Sequence, residues 1–222
     1  MREGTDGAVQ ETVDATGEYE LERPLSSLLS TTRDVLFSPR RFFDGLAPQG
    51  PLGAPVVYFL ISSAATALIN TVATLVFLAV PAGVALATGS LDTQLLLRIL
   101  AIFVLASLVV VPALFVVGFF VSVPIQQLFI LLVAGRNQKG LSATLRVSCY
   151  SVGAPVAVAW IPLASIPAVF YCFYLHATGL KRVHKISTGR SLVATLMLTA
   201  LLLILAIALA VYDYGLVQEA IR

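Results

Sequence analysis

From Leu95 to Ala134 the chain runs forty residues with Arg98 as its one charge. In water such a run leaves no solvated face on a helix or a strand, so the solvent it folds in must be lipid. Drawn as one straight helix it would reach roughly 60 Å, about twice a ~30 Å hydrocarbon core. It therefore holds either two crossings joined by a tight turn or one crossing that breaks and runs on. Pro112 and Pro124 offer breaks, and Gln126 and Gln127 would sit badly at mid-membrane. The rest of the chain points the same way. It is 58% hydrophobic and 12% charged, whereas a soluble domain carries about a quarter charged residues. The ten-residue alternation of a membrane barrel is absent.

Charge chooses between the two arrangements, because cytoplasmic loops carry excess Lys and Arg. Arg33, Arg40 and Arg41 precede the first apolar run; Arg136, Lys139 and Arg146 follow the forty-residue one; Lys181, Arg182, Lys185 and Arg190 precede the last. Placing all three groups inside requires an even number of crossings between each pair. The expectation is an all-α integral membrane protein, a five-span helical bundle with a short amphipathic N-terminal segment. Its spans are about 54–80, 96–122 with a tail to 134, 144–161, 163–180 and 191–212, followed by a tail over 214–222. The N-terminus is then cytoplasmic and the C-terminus outside. The first twenty residues hold no apolar core of a cleavable signal, so the first span serves as the insertion signal.

The ends of the chain differ in chemistry. Residues 1–22 hold seven acidic residues and one basic, Arg2. Residues 1–23 have almost no large apolar side chain and are expected to be a disordered acidic arm. In residues 24–47, Leu25, Leu28, Leu29, Val35, Leu36, Phe42, Phe43 and Leu46 recur at three- and four-residue steps. They read as two short amphipathic helices, punctuated at Ser38-Pro39. Lying in the headgroup region, Phe42 and Phe43 would enter lipid while Arg40 and Arg41 meet phosphates; the competing reading packs these helices on the membrane domain. A Pro/Gly turn over 48–55 leads into the first span. Lys181, Arg182, Lys185 and Arg190 add candidate headgroup contacts at ~1 kcal/mol per charge. Trp160, Tyr212 and Tyr214 suit an outer aromatic belt.

Reactive constellations are lacking. There is no His-Glu-x-x-His, no paired aspartate, no phosphate loop and no dinucleotide fingerprint. Cys149-Tyr150-Ser151-Val152-Gly153 lacks the first glycine of a nucleophile elbow. Cys149 and Cys172 read as small apolar residues. Cys172 and His176 share a helical face, but two ligands are too few for a metal; His176 reads as a cap or a snorkelling side chain near the cytoplasmic interface. The chain is thus expected to be no enzyme, with no catalytic, cofactor or metal site. A transporter would want ionisable residues mid-span, and none sits at the centre of any span. The polar residues left are Asn70, Gln126, Ser151 and Tyr174. They read as interhelical contacts or, in a solute channel or transporter, as the lining of one polar cavity.

The order of features is also familiar. Val35-Leu36-x-x-Pro39-x-x-Phe42-Phe43 leads into a span, Tyr150-Ser151 is followed by Pro155, and Tyr171, Tyr174, Gly179-Leu180, His184, Ser187 and Arg190 precede the last span. This set resembles the prokaryotic branch of the Yip (Ypt-interacting protein) domain family over roughly residues 30–212. The resemblance implies five spans and a cytoplasmic N-terminus in a prokaryotic cell (inner) membrane. Eukaryotic members are associated with Rab-type GTPases, vesicle traffic and membrane shaping. The expected role is to organise membrane or recruit partners at the cytoplasmic face. The partners indicated are the bilayer, its anionic headgroups, and other proteins or further copies of the chain; nothing points to nucleic acid.

Overall fold

The computed structural model describes residues 18–89, 92–159 and 161–221, without the side chains of 137, 162–165 and 213–221. Every regular element among them is helical. They are α1 (Pro24–Phe37), α2 (Pro39–Gly45), α3 (Gly53–Ala87), α4 (Thr93–Leu105), a π turn (Ala106–Val110), α5 (Val111–Ala134), a 3-10 turn (Gly135–Asn137), α6 (Leu141–Val156), α7 (Pro162–His184) and α8 (Thr188–Ile221). Trp160 lies outside the described residues, as does residue 1–17 of the acidic arm.

Among the described residues, three stretches are long and apolar enough to cross a bilayer: Gly53–Ala87, Thr93–Ala134 and Thr188–Tyr212. The fold is therefore all-helical with apolar membrane helices. Two boundaries differ from the sequence expectation. The first span does not stop at Pro81, which sits inside α3. The apolar run carries the helix to Ala87, and Gly89, at φ +68°, ends it where a side chain would be strained. The forty-residue run does not break at its prolines either. It is helical from Thr93 to Ala134, and the π turn falls just before Pro112. A proline has no N–H for the carbonyl four residues back, and a wider turn there absorbs the missing bond.

The hairpin α6–α7 lies at the centre. Helix α3 packs on α6, α5 packs on α6 and α8, and α8 packs on α7. Thr66 of α3 donates to the carbonyl of Val156, the last residue of α6, at 2.6 Å. That bond satisfies one of the carbonyls a helix end leaves open. A second aromatic group binds α3 to α5, with Phe59 stacked on Phe119 at 3.9 Å between ring centres.

The amphipathic lead folds over the end of this bundle where α6 begins and α7 ends. Helix α1 packs on α6, and α2 packs on α7. Phe42 is 3% exposed and Phe43 1%, so neither ring reaches lipid, contrary to the insertion reading of the sequence. The reason is a notch. Gly179 has no side chain, and Phe43 fills the space its Cβ would need, between α2 and Val147 of α6. A ring at the water-facing end of the bundle gains by leaving water, at ~25 cal/mol per Å². Five rings from four segments then follow one another: Tyr19, Tyr58, Tyr150, Phe42 and Phe43, with neighbouring centres 5.0–5.7 Å apart. Thr32 of α1 and the Tyr58 hydroxyl of α3 are hydrogen-bonded at 2.9 Å, and the Tyr171 hydroxyl donates to the Leu36 carbonyl.

Candidate functional site

The most costly group at the covered end is Arg146. It sits in α6 and is 2% exposed. A guanidinium out of water needs a counter-charge and acceptors. Its Nη2 is paired with the Glu18 carboxylate, and its Nη1 donates to the Pro51 carbonyl at 2.9 Å. Gly50 lets the chain pass: a Cβ there would stand 2.8 Å from Nη1. Residues 18–23 are accordingly held by the fold and do not belong to a disordered arm, and Tyr19 is 3% exposed. The sequence shows seven acids in residues 1–22 without marking Glu18, and it counts Arg146 among the basic residues facing the cytoplasm, whereas the structure buries it in α6.

Cations gather at the end of the bundle capped by α1 and α2. Arg40 and Arg41 on α2 are exposed, as are Lys185 and Arg190 beyond α7. Lys181 is half-buried. Arg182 is taken by Asp44 of α2, Nη1 to Oδ2 at 2.6 Å. Between α1 and water lies a stripe that the sequence analysis did not separate from its neighbours. Leu25, Leu29, Arg33 and Phe37 follow at four-residue steps, and the three apolar ones are 76%, 74% and 81% exposed. Ser27, Thr31 and Val35 occupy the opposite face, which is buried. Hydroxyl groups on the inner face and leucines on the outer one reverse the usual soluble pattern.

A neutral hydrogen-bond relay closes the same end. The Lys139 backbone N–H donates to His184 Nδ1 at 3.2 Å, and His184 Nε2 meets Thr144 Oγ1 at 3.1 Å. Thr144 in turn donates to Gln127 Oε1. Both imidazole nitrogens are thereby used in the uncharged form, with the proton assigned to Nε2. His184 lies beyond the 163–180 segment, and burial together with the neighbouring Lys139 lowers its pKa to about 4.

Of the four mid-span polar residues, Gln126 and, through His176, Ser151 belong to one cavity, while Asn70 and Tyr174 border others. Asn70 lines a groove of about 390 Å³ with Thr66, Thr71 and Ser107. Gln126 lines a cavity of about 690 Å³ between α5, α6, α7 and α8. Tyr174 stacks on Tyr171 at 5.6 Å and borders a third groove. Ser151 is buried and bonded to His176 Nδ1 at 3.0 Å. His176 thus does not cap or snorkel. It faces the bundle interior, because it sits on the α7 face turned to α6.

A family model described as the Yip1 domain matches residues 33–210, from inside α1 to near the end of α8. The chain belongs to the Yip1 domain family. No curated protein and no solved structure matches it. Within this Yip1 domain lie the notch at Gly179, the relay through His184 and the cationic end of the bundle. Glu18 and Tyr19, which complete the covered end, precede the matched region. Cys149 and Cys172 are both free thiols, and among the described residues no three His, Cys, Asp or Glu side chains come together.

Proposed function

We propose that this Yip1 domain protein is a non-enzymatic membrane protein that gathers anionic lipid around its cytoplasmic face. The observation that carries this reading is the outward stripe of α1, set beside the cations of α2 and the α7–α8 turn. Leu25, Leu29 and Phe37 take the inserting role in place of Phe42 and Phe43. Arg33, Arg40, Arg41, Lys185 and Arg190 meet the phosphates, each contributing ~1 kcal/mol near an anionic surface. Protein partners would bind the same face. The setting is a prokaryotic cell (inner) membrane, with five crossings, the N-terminus cytoplasmic and the C-terminus outside. Asn70, Gln126 and Tyr174 border three different grooves, which favours this reading over a solute channel.

Insertion is tested on the full chain in vesicles whose acyl chains carry a quencher, with one environment-sensitive dye at Leu29→Cys or Asp34→Cys. The dye at position 29 is expected to be quenched when phosphatidylglycerol is present, and the dye at position 34 is not. Changing Arg33, Arg40 and Arg41 to Gln should raise the anionic lipid required by about fivefold per charge. A dye at position 29 that stays in water in every vesicle would sink the proposal.

The span count has its own test. Single cysteines at Asp92, Ala159, Gln138 and Thr188, in a chain lacking Cys149 and Cys172, are probed with an impermeant reagent on intact cells. Labelling at 92 and 159 alone is expected from five crossings. Labelling at 92 without 159 would mean that α6–α7 does not cross. Labelling at 138 would move the basic turns outside and remove the shared cytoplasmic face.

A further inference from the structure

The 690 Å³ cavity between α5, α6, α7 and α8 combines an apolar course with one polar end. Its volume falls within the roughly 300–1,000 Å³ of small-ligand sites. The polar end holds Gln126 at 0% exposure and His176 at 7%. Oε1 and Nε2 of Gln126, and Nε2 of His176, have no hydrogen-bond partner among the described residues. An unmet buried polar atom is costly, and three on the lining of one cavity ask for a shared partner. The rest of the course is apolar and open: Leu114, Val169, Phe170 and Leu202 line it and are largely exposed on the surface that lipid would cover.

We propose that this cavity is a binding site for a neutral lipid whose head ends in a free hydroxyl. The head group follows from the unmet atoms. We assign the Ser151 proton to the Ser148 carbonyl, 3.3 Å away, and the ring proton of His176 to Nδ1, which then donates to Ser151 at 3.0 Å and leaves Nε2 as an acceptor. Gln126 offers one acceptor and one donor group. A hydroxyl gives its proton to one acceptor and receives from the amide of Gln126. An ester carbonyl alone has no proton to give. A phosphate or carboxylate is excluded by charge, because the cavity lining contains no Lys or Arg and an unpaired buried anion is far more costly than a neutral group.

Depth agrees with this choice. Gln126 lies eight residues before the end of α5 at Ala134, and His176 lies eight before the end of α7 at His184. Both are therefore ~12 Å in from those helix ends; with the ends at the headgroups, that is below the phosphates and level with the start of the acyl chains. Leu114, twelve residues earlier in α5, sets the far end of the course ~18 Å further out.

The test uses the full chain in vesicles with three photoreactive probes of identical acyl chains: diacylglycerol, its acetylated form without the hydroxyl, and phosphatidic acid. Diacylglycerol is expected to label peptides of α5, α7 and α8 at least about tenfold more than either relative. Gln126→Leu should lower that labelling by about tenfold. Gly118→Leu should abolish it, since Gly118 lines the cavity and a Cβ there meets nothing within 4 Å, so the side chain blocks the course without crowding the protein. Its unchanged melting in detergent shows that the fold persists. Equal labelling by the three probes would mean bulk lipid in the groove and would overturn the proposal, as would strong labelling of Gly118→Leu.

Discussion

Glu18→Ala is expected to lower the stability of the folded chain by about 3–5 kcal/mol, the range for breaking a buried ion pair from one side. The loss comes from what remains. Arg146 is 2% exposed and would keep only the Pro51 carbonyl for a full charge. The apparent melting temperature in detergent should fall well below that of the parent chain, and the 18–23 segment should become sensitive to protease. Adding Arg146→Met removes the stranded charge. The double variant is therefore expected to melt above Glu18→Ala alone, since it leaves no buried charge without its partner. Additive losses in the double variant would show that Arg146 does not depend on Glu18.

The second large effect is expected at Gly179. A Cβ there would stand 2.6 Å from Val147 Cγ1 and 3.0 Å from Phe43 Cε1. Neither neighbour can yield easily, because Phe43 is buried against the Phe42 ring and Val147 is fully buried. Gly179→Ala should cost about 1–3 kcal/mol through overpacking, and Gly179→Leu should expel Phe43 and free α2. The readout is trypsin cleavage after Arg40 and Arg41, fast in the leucine variant and slow in the parent. Gly83→Ala serves as the comparison. That glycine lies inside α3 with open space around it, and alanine there is expected to add about 0.5–1 kcal/mol of helix stability. Equal cleavage in Gly179→Leu and the parent would remove the notch as the reason that α2 stays folded down.

The class of fold and the existence of each apolar helix were legible because a long run without charge has one solution in lipid. Family membership was legible from an ordered set of small motifs, each weak alone. The environment of single residues was not. Phe42 and Phe43 recur at helical spacing whether they face lipid or a protein notch, and the notch is made by a glycine 136 positions after Phe43. The same holds for Glu18 and Arg146, whose pairing joins distant parts of the chain. Pro81 and Pro112 misled in another way: both sit within continuous helix, and at Pro112 a π turn just ahead of the proline takes up the missing bond. His176 was placed at an interface by counting residues to the basic loop. Its partner, Ser151, lies 25 residues earlier, across the hairpin.

The length of α3 has a consequence for the membrane itself. Its 35 residues extend roughly 52 Å. Fitting that length into a ~30 Å core by slope alone would take about 55°, outside the roughly 0–40° that membrane helices adopt. Val76, Phe77, Val80 and Val84, near the end of α3 that turns into α4, are exposed, and so are Leu95, Leu97 and Ile102 on α4. That helical tip would present bare hydrocarbon to water if the leaflet stayed flat. Acyl chains that rose to cover it, as liquid rises at a wetted post, would give each molecule a collar of thickened bilayer. Two such collars relax on merging, so the membrane's own elasticity would draw copies of this chain together and sort them toward thicker bilayers without any contact between proteins.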